Sequence, residues 1–161
     1  MTSLLDHPLI SERYFFPRAD APAQPFWIDC MDSTRLACAY HETNPSAPTV
    51  VHFHGNGEVV ADYLDGFPGL IGRMGCNCFF AEFRGYGGST GTPQLGKMLG
   101  DVLPTIKALE CPEEKIILFG RSLGGSVAAW LAARENPAAL IVEDDVALDP
   151  ALFPAAFAVA L

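Results

Sequence analysis

The sequence predicts an α/β fold, a mostly parallel sheet with helices on both faces. Two observations carry this. Short apolar runs suited to buried strands alternate with longer segments whose apolar residues recur at helical spacing. Half of the 161 residues are hydrophobic and 18% are charged, a globular composition on a chain long enough to bury one core. Repeated strand–helix–strand units imply parallel pairing.

Residues 1–25 read as a lead-in, with PRADAPAQP (17–25) extended, and residues 26–161 as the domain. FWIDCM (26–31) and RLACAYHE (35–42) are strands joined at Asp32-Ser33, an antiparallel edge. TVVHFH (49–54) is a short apolar strand. Residues 58–74 carry Val59, Val60, Tyr63, Leu64, Phe67, Leu70, Ile71 and Met74 at helical spacing, and Pro68 breaks them into two pieces. NCFFAEF (77–83) is the next strand, followed by the Gly-rich loop RGYGGSTGTP (84–93). Leu95 to Leu109 mark an amphipathic helix in which Pro104 predicts a kink or a restart. KIILFG (115–120) is a buried strand, a helix follows at roughly 123–135, and ALIVE (139–143) is the last strand. The apolar stretch DPALFPAAFAVAL is expected to be helical.

The net charge of −9 argues against binding a phosphate backbone, so no nucleic-acid partner is expected. No apolar run approaches the about 18 residues that span a bilayer. The N-terminus has an early Asp6 and no basic region, so by default the expected location is cytoplasmic. The five cysteines, Cys30, Cys38, Cys76, Cys78 and Cys111, are odd in number and read as free core thiols.

The chemistry lies in three segments. Gly120-Arg121-Ser122-Leu123-Gly124-Gly125 fits G-x-S-x-G, directly after an apolar strand and at the start of a helix. Elsewhere such a motif is a Gly-rich turn. In this setting it is a nucleophile elbow, with small residues at 120 and 124 because side chains there would clash across the turn. Ser122 is the candidate nucleophile, and the backbone N–H of Leu123 points where an oxyanion would form. His52-Phe53-His54-Gly55-Asn56-Gly57 also follows a strand directly. The third segment is Ala81-Glu82-Phe83-Arg84-Gly85-Tyr86-Gly87-Gly88-Ser89-Thr90-Gly91.

These segments, in this order and spacing, resemble the α/β-hydrolase family, and most closely its serine aminopeptidase-like hydrolases. The resemblance covers about residues 26–143. It implies that the N–H of Asn56 completes the oxyanion hole; the Asn56 side-chain amide could also point inward. It implies a structural role for His54 and for Arg84, with substrate contact the alternative for Arg84, and a turn role for the Ser89 hydroxyl. It further implies hydrolysis of an ester, thioester or amide through an acyl-enzyme on Ser122, acting on a small-molecule or peptide/acyl substrate without a cofactor.

The family places an acid and then a histidine after the nucleophile. Here the four histidines, His7, His41, His52 and His54, all precede Ser122, so the triad acid and histidine are unassigned. Glu143, Asp144, Asp145 and Asp149 follow Ser122, in helix-capping or solvated roles. The family's last strands and helices are missing, which reads as a truncated or partial domain. That would leave 139–143 as a bare sheet edge open to self-association. Two rivals stand beside the impaired serine hydrolase. One is a non-catalytic remnant or binding protein on a hydrolase scaffold. The other is a metal-dependent hydrolase through His52 and His54, although the downstream ligands it needs are lacking.

Overall fold

The computed structural model describes residues 3–143 and, as backbone, the strand 158–160. Its centre is a seven-stranded sheet in the order β1-β2-β4-β3-β5-β6-β7. Strands β1 (Phe26–Asp29) and β2 (Arg35–His41) pair antiparallel, and β2 runs antiparallel to β4 (Asn77–Ala81). From there pairing is parallel, through β3 (Thr49–Phe53), β5 (Ile116–Arg121), β6 (Ala139–Glu143) and β7 (Ala158–Ala160). The expected architecture, antiparallel edge included, is the observed one.

Alternation along the central strands sorts side chains onto two faces. Val51, Phe53, Phe79, Ala81, Leu118, Leu140 and Val142 join one buried cluster. Helices α3 (Leu95–Lys107) and α4 (Leu123–Ala132) cover it with Met98, Val102, Val127 and Leu131. Val50, Cys78 and Phe80 face the other way, under Val60 and Ile71. Ile71 belongs to α2 (Phe67–Arg73), and Val60 opens a short 3-10 turn, Val60–Tyr63. Residues 58–74 are thus two pieces as expected, with Pro68 in the first turn of the second, where a missing N–H costs nothing. All five cysteines are free thiols, and Cys76 and Cys78 join the same cluster.

The lead-in, of which only 17–25 carried an expectation, holds a 3-10 turn, Leu4–Asp6, and α1 (Pro8–Tyr14), and residues 17–25 have neither helix nor strand. Buried Asp6 anchors it by accepting the Lys97 N–H at 3.1 Å in the first turn of α3. Helix α3 runs through Pro104 as one helix. Burial of Met98, Val102 and Thr105 on its inner face outweighs the one backbone bond that Pro104 cannot make. The C-terminal stretch, expected to be helical, holds a strand at 158–160, paired with Leu140, Ile141 and Val142. An apolar run next to an open parallel edge gains ladder hydrogen bonds there that a helix would not offer the edge.

Candidate functional site

The sheet order doubles back at β3: β4 lies on one side of it and β5 on the other. Ligand sites of open α/β sheets form at the carboxyl ends of such strands. Two loops leave those ends side by side, His54–Glu58 after β3 and Arg121-Ser122 after β5.

Ser122 is exposed and caps α4 with φ 50° and ψ −116°. For a residue with a side chain this conformation costs of the order of 1–3 kcal/mol, so surrounding packing must impose it. Two glycines do so. A Cβ on Gly124 would collide with the Phe53 carbonyl and lie 2.6 Å from that of His54. A Cβ on Gly120 would strike the Gly124 carbonyl and lie 2.6 Å from Gly125 Cα. Helix α4 can therefore start hard against the end of β3. The Ser122 N–H donates to the Glu143 carbonyl at 3.1 Å, which ties the turn to β6. Its hydroxyl makes no capping bond. The N–H of Leu123, the first residue of α4, is one of the donors a helix start leaves without an intrahelical acceptor.

The β3 loop is held from several sides. Gly55 to Glu58 form a turn closed by the Glu58 N–H on the Gly55 carbonyl at 3.2 Å. Gly57 takes its third position at φ +84°, where a type II turn needs a left-handed residue. Asn56 sits second. Its side chain does not aim into the site, contrary to one of the sequence-based alternatives. The Nδ2 donates to the Tyr14 carbonyl at 2.5 Å, and Oδ1 accepts from the Phe16 N–H at 3.1 Å and the Tyr86 hydroxyl at 2.7 Å. The Tyr14 carbonyl at the end of α1 and the Phe16 N–H just beyond it claim the amide first.

His54 is fully buried. Its Nδ1 donates to the Gly55 carbonyl at 2.8 Å and its Nε2 meets Glu82 Oε1 at 2.5 Å. With both ring nitrogens spent inside the protein, it holds the loop and has none left for Ser122. His52 is boxed by Tyr63, Phe67, Phe80 and Phe119, with ring centroids 4.3–5.8 Å away. Its Nε2 has no partner among the described residues, and burial lowers its pKa to about 3. Both facts keep it neutral. Among the described residues no group of three His, Cys, Asp or Glu could hold a metal ion.

The third segment is a scaffold. Buried Arg84 forks onto Asp101 of α3, Nε at 2.7 Å and Nη2 at 2.6 Å. The Ser89 hydroxyl accepts the Ala37 N–H at 2.9 Å, a turn role. Glu143 stands 3.5 Å from Arg121 Nε with its side chain half exposed, while Asp144, Asp145 and Asp149 lie outside the described residues. Sequence reasoning gave no role to Glu58. It accepts from the Gly55 N–H at 2.7 Å and the Tyr63 hydroxyl at 2.6 Å, and it pairs with Arg121. Nothing in a loop Glu three residues after a glycine announces this; only the fold brings Arg121 within reach.

No helix among the described residues is long and apolar enough to cross a membrane. Among solved structures, the fold is similar to DcsB in complex with its substrate analogue, with a TM-score of 0.65 and 21% identity over 74% of this chain and 44% of that one. It is also similar to the Pyrococcus furiosus esterase PF2001, with a TM-score of 0.64 and 20% identity over 80% and 55%. Among curated proteins, the Arabidopsis thaliana α/β hydrolase domain-containing protein WAV2 is 32% identical over 130 residues, 75% of this chain and 42% of that protein. The Caenorhabditis elegans α/β hydrolase domain-containing protein aho-3 is 34% identical over 113 residues, 67% of this chain and 34% of that protein. The chain thus spans about two fifths or less of the length of these relatives. The family model described as serine aminopeptidase, S33, matches residues 44–151, the stretch holding both loops and the strained Ser122. By that match and these identities, the chain belongs to the serine aminopeptidase S33 branch of the α/β-hydrolase family.

Proposed function

We propose that Ser122 is the nucleophile of a serine hydrolase acting on an ester, thioester or amide. The observation that carries this is its backbone: a serine at φ 50° on a strand-to-helix turn, with an exposed side chain. Strain of this kind survives where the surroundings impose it. In the proposed step, Ser122 Oγ gives up its proton to a base and bonds the acyl carbon. The oxygen that takes up negative charge lies against the N–H groups of Leu123 and Asn56. The alcohol, thiol or amine then leaves, and water releases the acid from the acyl-enzyme. Two such donors matter because losing one costs about 10²–10³ in rate.

The base is the open position. No histidine follows Ser122, and His52 and His54 are buried in other roles. Without a base the hydroxyl stays protonated at neutral pH and is a weak nucleophile. The 161-residue chain is therefore expected to acylate slowly with an activated ester, to deacylate slowly, and to resist fluorophosphonate labelling. Peptide mass spectrometry should find the acyl group on Ser122 in the native chain and not in Ser122→Ala. Acylation spread over other residues, equal in both proteins, would remove Ser122 from the reading. The burial of His52 and His54 away from Ser122 gives a second reading, a non-catalytic binding protein on this scaffold. A chain that binds acyl compounds without ever acylating Ser122 would establish it.

A further inference from the structure

We infer that Glu58 is a positioning residue: it ties the loop after β3 to the turn after β5 and thereby sets the spacing of the two amides, Asn56 and Leu123. This rests on the oxyanion-hole reading above. Glu58 grips the neighbour of each essential residue. Its Oε2 accepts the N–H of Gly55 at 2.7 Å, and Gly55 precedes Asn56. Its Oε1 pairs with the guanidinium of Arg121, which precedes Ser122. The Tyr63 hydroxyl, at 2.6 Å on Oε2, fixes the carboxylate from the third side. The loops touch at this point. A Cβ on Gly55 would lie 2.8 Å from Glu58 Oε2 and 3.6 Å from the Arg121 carbonyl, so only a residue without a side chain lets the carboxylate fit between them.

The arrangement suits positioning better than bulk stability. The Arg121 side chain is 45% exposed, and exposed ion pairs contribute little to folding, a median of about 0–1 kcal/mol. The Gly55 N–H and the Tyr63 hydroxyl are less replaceable by water, because Gly55 is buried and Tyr63 is half-buried. Loss of the carboxylate would therefore free the β3 loop to shift against the elbow while the core stays intact. A shift of 1 Å in a catalytic arrangement costs about 10²-fold in rate.

The test uses phenylboronic acid, which forms a tetrahedral anionic adduct on a serine oxygen and needs no turnover. Its adduct with the native chain is followed by boron NMR, with Ser122→Ala as the blank. Backbone amide exchange at Gly55 is measured alongside. Glu58→Ala should weaken the boronate by about tenfold, part of the about 10²-fold that a full 1 Å misplacement costs, and should speed Gly55 exchange. Its Tm should fall, because the Gly55 N–H loses its acceptor, but the boronate loss should persist at temperatures far below that Tm, where a merely structural role would show none. Glu58→Gln keeps an acceptor for Gly55 but loses the charge for Arg121, and should fall between. Unchanged boronate affinity and unchanged Gly55 exchange in Glu58→Ala overturn the inference. If the native chain forms no Ser122 adduct, the hole reading fails, and Gly55 exchange alone then judges the tie: acceleration upholds it and no change overturns it.

Discussion

His54 Nε2 lies 2.5 Å from Glu82 Oε1, in a pocket where neither side chain is more than 1% exposed. The other ring nitrogen faces the Gly55 carbonyl, which can only accept, so Nδ1 carries a proton. Glu82 also accepts from the N–H groups of Val60 at 2.8 Å and Phe83 at 2.9 Å. Removing it by Glu82→Ala strands these two N–H groups and the His54 imidazole and should cost about 3–5 kcal/mol, the price of breaking a buried pair. Glu82→Gln, which can still accept and can donate to a neutral imidazole, should lose less. Denaturant midpoints of the two variants check the order.

Gly124→Ala drives a methyl group into the Phe53 carbonyl, an atom of a central strand that cannot step aside. Its cost should exceed the usual 1–3 kcal/mol or so of overpacking and leave little soluble protein. At Gly125 the new methyl would stand 2.9 Å from Val142 Cγ1, a side-chain atom that can rotate, so Gly125→Ala should be milder. Gly100 of α3 meets nothing within 4 Å. Gly100→Ala should stabilise by about 0.5–1 kcal/mol, because alanine holds helical backbone at lower entropic cost. Thermal melts of the three variants should therefore move in two directions.

Arg84→Lys is the sharper probe of the buried pair with Asp101. Lysine keeps the charge but loses the fork that makes two bonds to one carboxylate. It should still destabilise measurably in urea, and Arg84→Ala, which leaves Asp101 buried and unpaired, should cost about 3–5 kcal/mol.

His52 gives the fold an acid sensitivity of known sign. Burial lowers its pKa from 6.5 to about 3. Between those values the unfolded chain binds a proton at residue 52 that the folded chain refuses, so stability falls as pH drops from 6.5 towards 3. His52→Phe suits the aromatic box and has no titrating group. It should show a shallower loss of stability over that window, with the two proteins differing least above pH 7 or so. Unfolding curves at a series of pH values check this, and equal slopes would mean that the imidazole reaches water in the fold.

Pairing of 158–160 along β6 bears on assembly. A chain cut after Glu143 would present the backbone groups of Leu140, Ile141 and Val142 unpaired. It should self-associate more than the 161-residue chain at equal concentration. Light scattering on both decides it, and identical monomeric profiles would refute the expectation.

Much of the fold was legible because it rests on local pattern. The runs 49–54, 77–83, 115–120 and 139–143 became four parallel strands, and Pro68 marked a helix start by its own geometry. The turn at Ser122 was legible in part for the same reason, since Gly120 answers a steric demand from Gly124 and Gly125, whereas the demand on Gly124 comes from the Phe53 and His54 carbonyls far back in the chain. Contacts over long separations left no such trace. Asn56 bonds Tyr14 and Phe16 about forty residues back, and Glu58 meets Arg121 from sixty-three residues away. At Pro104 the expected restart does not occur, because a local rule was outweighed by burial that only the packed helix reveals.

The bonds that Asn56 makes to Tyr14 and Phe16 also impose a timetable. On a translating ribosome, residues 14–16 emerge with no partner to hold them. Their anchors come with the loop at 56 and the hydroxyl of Tyr86, and the Ser122 amide must wait for the carbonyl of Glu143. An early part to be made is thus a late part to settle, and the strained serine is secured later than residues 14–16. A nascent chain arrested with Glu143 still in the exit tunnel would display residues 14–16 already docked beside a Ser122 turn that lacks its anchor.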